Sequence, residues 1–167
     1  DVCSSDLAMP EDFTIRPAVE ADAAAACELV RDCIILLCKA DHFGDALTLE
    51  GWLANKTVKN FAWWFTAPGS NGFIAERNGE MIGVGAVRDD GEVTLNYVSP
   101  SARFQGVSKA LLARMEGTAK GKLADRMSLT TTETARRFYH DRGYREEDEE
   151  GDLFDGEQSA MIKPFET

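Results

Sequence analysis

The segment SPSARFQGVSKALLARM, residues 99 to 115, carries residue types that bind an anion. Arg103 and Lys109 place positive charge on either side of Gly106. After Gly106 the chain turns amphipathic. Val107, Leu111 and Met115 share a face with Ala110 beside them, so the spacing predicts a helix over 106–120. A helix N-terminus exposes N–H groups that no preceding carbonyl satisfies, and it carries partial positive charge. Phosphate oxygens accept those groups directly when the local side chains are small. Gly106 meets that condition and Ser108 nearly does. Ser108 falls in the first helical turn, where φ is negative, so smallness is required and glycine's freedom is not. Its hydroxyl could even donate to a phosphate oxygen. Neither the Walker pattern nor the dinucleotide-binding pattern fits. Taken alone, the loop suits a phosphate cradle and an ordinary strand-to-helix turn equally well.

The flanking elements are legible from periodicity. FTIRPA (13–18) alternates like a short strand ending at Pro17, and 19–38 has apolar residues at helical spacing. Residues 45–65 suggest two short helices, with Leu49, Trp52 and Leu53 on one face and Phe61, Trp64 and Phe65 on another. The period then changes. Asn78-Gly79 and Asp90-Gly91 are turn dipeptides, so 73–77, 80–88 and 92–98 should form an antiparallel meander. Residues 126–132 read as a strand, and 133–144 as a helix stopped by Gly143. The acidic run REEDEEGD reads as a solvated loop, and 157–165 as a last strand. The piece from 92 to 132 is the expected parallel crossover. The fold class is α+β (mixed α/β), one domain with a mostly antiparallel twisted sheet of about six to seven strands and about four to five flanking helices.

Composition narrows the function classes. The chain has 167 residues, 44% hydrophobic and 28% charged, which suits a single globular domain. No apolar run approaches the about 20 residues that span a bilayer, so no membrane partner is expected. A net charge of −11 argues against nucleic acid as a partner. The four cysteines, at 3, 27, 33 and 38, have no C-x-x-C spacing, so buried thiols in a reducing, cytoplasmic setting are the expectation. No His or carboxylate pair stands at ligand spacing, so no metal is expected. The opening residues DVCSSDL back-translate as GAC GTG TGC TCT TCC GAT CT, like the end of a common sequencing adaptor. Residues 1–8 are therefore expected to be a non-native leader before Met9, with 9–167 as the domain.

A second motif, TARRFYHDRGY (134–144), follows one strand after the loop. Together the two resemble the GCN5-related N-acetyltransferase family. That family's loop reads Arg/Gln-x-x-Gly-x-Gly/Ala after a V-x-P; here it is Val98-Ser99-Pro100, then Arg103, Phe104, Gln105, Gly106, Val107 and Ser108. Its later pattern, Ala-x-x-Phe/Leu-Tyr-x-x-x-Gly-Phe/Tyr, is met by Ala135, Phe138, Tyr139, Gly143 and Tyr144. The order of elements agrees, so the resemblance runs from Phe13 to Phe165.

The resemblance implies acetyl-CoA as co-substrate, with residues 103–109, Lys109 included, holding its pyrophosphate. It implies that the backbone of Tyr97 and Val98 pairs with the pantetheine arm, and that a backbone N–H near Val98 serves the oxyanion. Tyr139 would be the general acid for the leaving thiolate, since a phenol of ordinary pKa about 10 sits close to a thiol's about 8.5. Glu92 is the candidate base, although a Glu beside an Asp-Gly turn is ordinarily just solvated. Asn96 would share a strand face with Glu92 and Val98 if no bulge intervenes, and could orient the acceptor or polarise the thioester carbonyl. Asp41 and His42 lie where the family builds its acceptor pocket, though a turn or capping role suits them as well. Trp52, Trp63 and Trp64 could line such a pocket, but core positions suit their spacing better. Ser108 and Thr132 depart from the family's Gly/Ala and Asn, which leaves the cofactor contact at Thr132 to its hydroxyl. The implied activity is transfer of an acetyl group to a primary amine, on a small molecule or a protein, with room for a homodimer. A non-catalytic acyl-CoA-binding regulatory module of the same fold is the alternative, and Tyr139 speaks against it because a binder has less need of an acid.

Overall fold

A computed structural model describes residues 12–36, 45–147 and 158–166. β1 (Thr14–Pro17), β2 (Ser70–Arg77), β3 (Glu80–Arg88) and β4 (Val93–Val98) form an antiparallel sheet in that order. β5 (Arg126–Thr132), β6 (Arg145–Glu146) and β7 (Gln158–Pro164) form a second antiparallel sheet in the order β5-β7-β6. The helices are α1 (Ala23–Leu36), α2 (Ala46–Leu53), α3 (Val58–Thr66), α4 (Val107–Gly121) and α5 (Glu133–Asp141). The mixed α/β class and the element order agree with the sequence. β6 is new. Two residues are too few for a periodic signal, and the acidic context reads as loop.

The strands do not make one continuous ladder. β4 and β5 run parallel, as the crossover required, but they touch through the single bridge Glu92–Ser128. There the Ser128 N–H donates to the Gly91 carbonyl at 3.0 Å. Gly91 has φ of 95°, and a Cβ on it would sit 1.9 Å from the Arg126 carbonyl oxygen. Only glycine lets the two backbones approach this closely. Beyond that contact β4 keeps β3 on one edge, and among the described residues its other edge has no strand partner.

Apolar clusters cover both faces of the first sheet. One packs α1 and α3 onto Ile74, Val84, Ala86 and Leu95, with Phe61 fully buried. The other seats α4 through Val107, Leu111, Leu112 and Met115, and extends to Met127, Leu129 and Met161 of the second sheet. Each such side chain contributes about 1.5–3 kcal/mol on burial. This second cluster is what fixes the start of α4 beside β4.

A register shift in the β3–β4 pairing, between Ala86/Leu95 and Val87/Val93, is a bulge at Thr94. Its effect shows in the packing. Val93 belongs to the α4-side cluster and Leu95 to the α1-side cluster, although they are two residues apart. The bulge therefore separates Glu92 from the face that carries Asn96 and Val98. This corrects the expectation of one shared face, because an extra residue inverts the alternation.

Candidate active site

Where β4 and β5 part, a cavity of about 630 Å³ opens. Residues 93–98 of β4 form one wall and residues 129–132 of β5 the other. The turn before α4 and the first turn of α4 close one end, and α5 contributes Ala135, Phe138, Tyr139 and Arg142. Among the described residues the lining contains Arg103, Lys109 and Arg142 but no Asp or Glu. In a chain of net charge −11, a described lining whose charged side chains are cations suits an anionic ligand.

The loop has the geometry its sequence suggests. Gly106 stands at the N-cap of α4 with φ of 84°, and among the described residues no side chain caps the helix. The first-turn N–H groups are left to a ligand or solvent. Phe104 also adopts a left-handed φ of 62° and is 93% exposed, with the Arg103 guanidinium stacked on its ring at 4.7 Å. Val107 is buried and anchors the turn, while Ser108 and Lys109 line the cavity. Gln105 points elsewhere. It pairs with Arg77 and Ser101 outside the cavity lining.

At the other end lies Tyr139, 7% exposed and edge-on to Phe138 and Tyr144. Burial pushes its phenol up to about 12, partly offset by a hydrogen bond from Asn96. At neutral pH it therefore keeps its proton. Asn96 Nδ2 donates to Tyr139 Oη at 3.2 Å, and Ser108 Oγ donates to Asn96 Oδ1 at 3.0 Å. Three residues from β4, α4 and α5 form one chain at the cavity wall.

The other site residues are placed as follows. Tyr97, Val98 and Thr132 line the cavity, and the Val98 carbonyl accepts a hydrogen bond from Cys33 Sγ at 3.1 Å. Glu92 lies outside the lining, exposed, 3.8 Å from Arg88. Asp41 and His42 fall outside the described residues. Arg142 and Phe138 are the additions. Arg142 stacks on Phe138 at 5.4 Å, and its buried Nε has no hydrogen-bond partner among the described residues. Its position one residue before Gly143, facing inward on the last turn, was the available signal, but the motif makes no demand on residue type there.

A smaller cavity of about 270 Å³ meets the first at Tyr97 and Thr132. Its remaining lining is Ile34, Gly51, Trp52, Asn55 and Lys56. Burial holds the Lys56 ammonium below its ordinary pKa, and it lies 5.9 Å over the Trp64 ring. Trp64 packs edge-on to Phe61 in the core, and Trp63 is exposed. The three tryptophans thus take three roles: cavity, core and surface. No group of three or more His, Cys, Asp or Glu among the described residues could hold a metal ion. No helix among them is long and apolar enough to cross a membrane.

Solved structures share this architecture. A GCN5-related N-acetyltransferase from Rhodopseudomonas palustris superposes with a TM-score of 0.78 at 22% identity, covering 91% of this chain and 95% of that one. PaiA N-acetyltransferase from Thermoplasma acidophilum, solved in complex with coenzyme A, gives 0.75 at 19% identity, covering 92% and 99%. The yncA protein of Salmonella typhimurium, solved with its cofactor acetyl-CoA, gives 0.69 at 22% identity, covering 92% and 94%. No curated protein matches the sequence. The family model for the acetyltransferase (GNAT) domain matches residues 45–156, and with the splayed strands and the uncapped helix beside them, the chain belongs to the GNAT acetyltransferase family.

Proposed function

We propose that the protein is an acetyl-CoA-dependent N-acetyltransferase that moves an acetyl group to a primary amine by direct attack on the thioester. The observation that carries this reading is the buried, protonated Tyr139 phenol in a cleft whose charged lining residues, among those described, are all cations. The orphaned Arg142 Nε and the uncapped start of α4 fit a phosphorylated ligand. The side chains of Arg103 and Lys109 and the backbone N–H groups of Gly106, Val107 and Ser108 would hold its pyrophosphate and Arg142 a further phosphate, while the open edge of β4 at Tyr97 and Val98 suits an extended amide-bearing arm. Bound acetyl-CoA supplies an activated acyl group.

The residues then divide the work. The acceptor enters by the smaller cavity, where Trp52 and Tyr97 exclude water from the amine. The amine nitrogen bonds to the acyl carbon and the C–S bond breaks. Tyr139 Oη gives its proton to the departing sulfur, and the proton shed by the amine returns through water to restore the phenol. Glu92, turned toward Arg88 behind the Thr94 bulge, can serve as base only through intervening water. The acceptor is a small-molecule or protein amine.

A thiol-release assay across a panel of amines tests this reading, together with thermal shift in acetyl-CoA. Stabilisation and thiol release are expected. No shift at saturating acetyl-CoA removes the reading, and a shift without release for any amine favours the non-catalytic binding module. Tyr139→Phe should lower turnover roughly a hundredfold to ten-thousandfold while CoA affinity stays nearly intact. Unchanged turnover would show that Tyr139 is not the acid.

A further inference from the structure

We propose that Ser108 and Asn96 are positioning residues that aim the Tyr139 phenol, coupling the anion-binding turn of α4 to the proton donor. The inference rests on the reading of Tyr139 as the acid. Its basis is the chain Ser108 Oγ to Asn96 Oδ1 at 3.0 Å and Asn96 Nδ2 to Tyr139 Oη at 3.2 Å.

An asparagine amide has one accepting end and one donating end. In the fold the accepting end takes the Ser108 hydroxyl and the donating end faces the phenol. The phenol oxygen then accepts, and its own hydrogen is left toward the cavity. A reversed amide would draw that hydrogen to Oδ1 and away from a leaving sulfur. Ser108 therefore acts on the proton without touching it. A glycine or alanine at 108 leaves Oδ1 without this donor. The bulge at Thr94 is part of the device, because it puts Asn96 on the α4 face of the sheet. Asn96 is paired there with Gly85 of β3. The only transfer involved is the phenolic proton from Tyr139 Oη to the departing thiolate. Ser108 and Asn96 exchange no atoms.

The test uses the full chain with the amine that gives thiol release. Ser108→Ala should lower kcat about tenfold, a fraction of what general acid catalysis supplies. Its CoA dissociation constant, from calorimetry, should stay within about twofold, because the hydroxyl is directed to Asn96 and not to a phosphate. Ser108→Thr, which keeps the hydroxyl, should recover most of the rate. In a Tyr139→Phe background, Ser108→Ala should add no further loss.

A second readout needs no acceptor. The chain has three tyrosines, so ring-13C tyrosine labelling gives few signals, and Tyr139→Phe assigns one. Ser108→Ala should move the Tyr139 signal, and should not move it in an Asn96→Ala background. Weakened CoA binding with unchanged kcat in Ser108→Ala would assign the hydroxyl to the phosphate and overturn the proposal. So would an unmoved Tyr139 signal, or a rate loss that persists without the phenol. If Tyr139→Phe itself keeps full turnover, the acid reading fails and takes this proposal with it. If Tyr139→Phe is crippled and Ser108→Ala is not, only the wiring fails.

Discussion

The two cavities share Tyr97 and Thr132 but are assembled in opposite ways. The larger is built almost wholly from two short stretches, 93–109 and 129–142. The smaller gathers single residues from α1, α2, the segment before α3, β4 and β5. Among the described residues the first has cations and no carboxylate in its lining, while the second has an indole, an amide and one ammonium depressed by burial. A site for a ligand of fixed chemistry can be written into a loop and a helix start, because backbone N–H groups do much of the binding. A pocket that selects among acceptors depends on side chains that only packing brings together.

Both cavities hang on the contact at Gly91, so the largest effect is expected there. Gly91→Ala combines positive φ with a Cβ driven onto the Arg126 carbonyl, and should cost more than about 3 kcal/mol of stability. Denaturant midpoints measure it. An unchanged midpoint would mean that the two sheets are not pinned at this point.

The buried phenol in the larger cavity's wall gives the next effect. Tyr139 ionises at about 12 in the folded protein, above its ordinary 10.0. The folded state thus retains a proton that the unfolded chain loses. This contribution is complete below pH 10 and disappears as pH rises toward 12, at about 1.4 kcal/mol per pH unit. Tyr144, raised by burial and by Glu116, acts in the same direction. Urea melts followed to alkaline pH should show the decline, and Tyr139→Phe should flatten it. An equal slope in the variant would remove Tyr139 from the account.

The remaining two predictions separate the cavities. Arg142→Ala should weaken CoA binding about tenfold, more at low salt than at high, since a charge-assisted contact is lost. It should leave the acceptor KM unchanged. Trp52→Ala should do the reverse, raising the acceptor KM about threefold to tenfold through lost aromatic contact, with CoA affinity intact. If either variant moved both constants equally, the two cavities would be functionally one.

Much of this could be read before folding was considered. The strand and helix order follows from apolar period and turn dipeptides. The loop at 103–109 and the motif at 135–144 place two ends of the larger cavity, because each is local in sequence. Other features had no local signature. The Thr94 bulge comes from strand pairing, and it put Glu92 off the face that alternation assigned to it. Gln105, inside the motif, turned to Arg77. Arg142, outside the motif's demands, turned inward.

The sequence by itself determined the class of the fold and the turn before a helix at Gly106, and the family resemblance marked that turn as a candidate anion site and Tyr139 as the candidate acid. Each is local, set by residues a few positions apart. Only the tertiary structure decided what the hydroxyl of Ser108 does. In sequence it was a small residue with a possible phosphate contact; in the fold its hydrogen goes to Asn96. Hydrogen-bond direction depends on which groups three separate elements bring within about 3 Å, and no spacing along the chain encodes that.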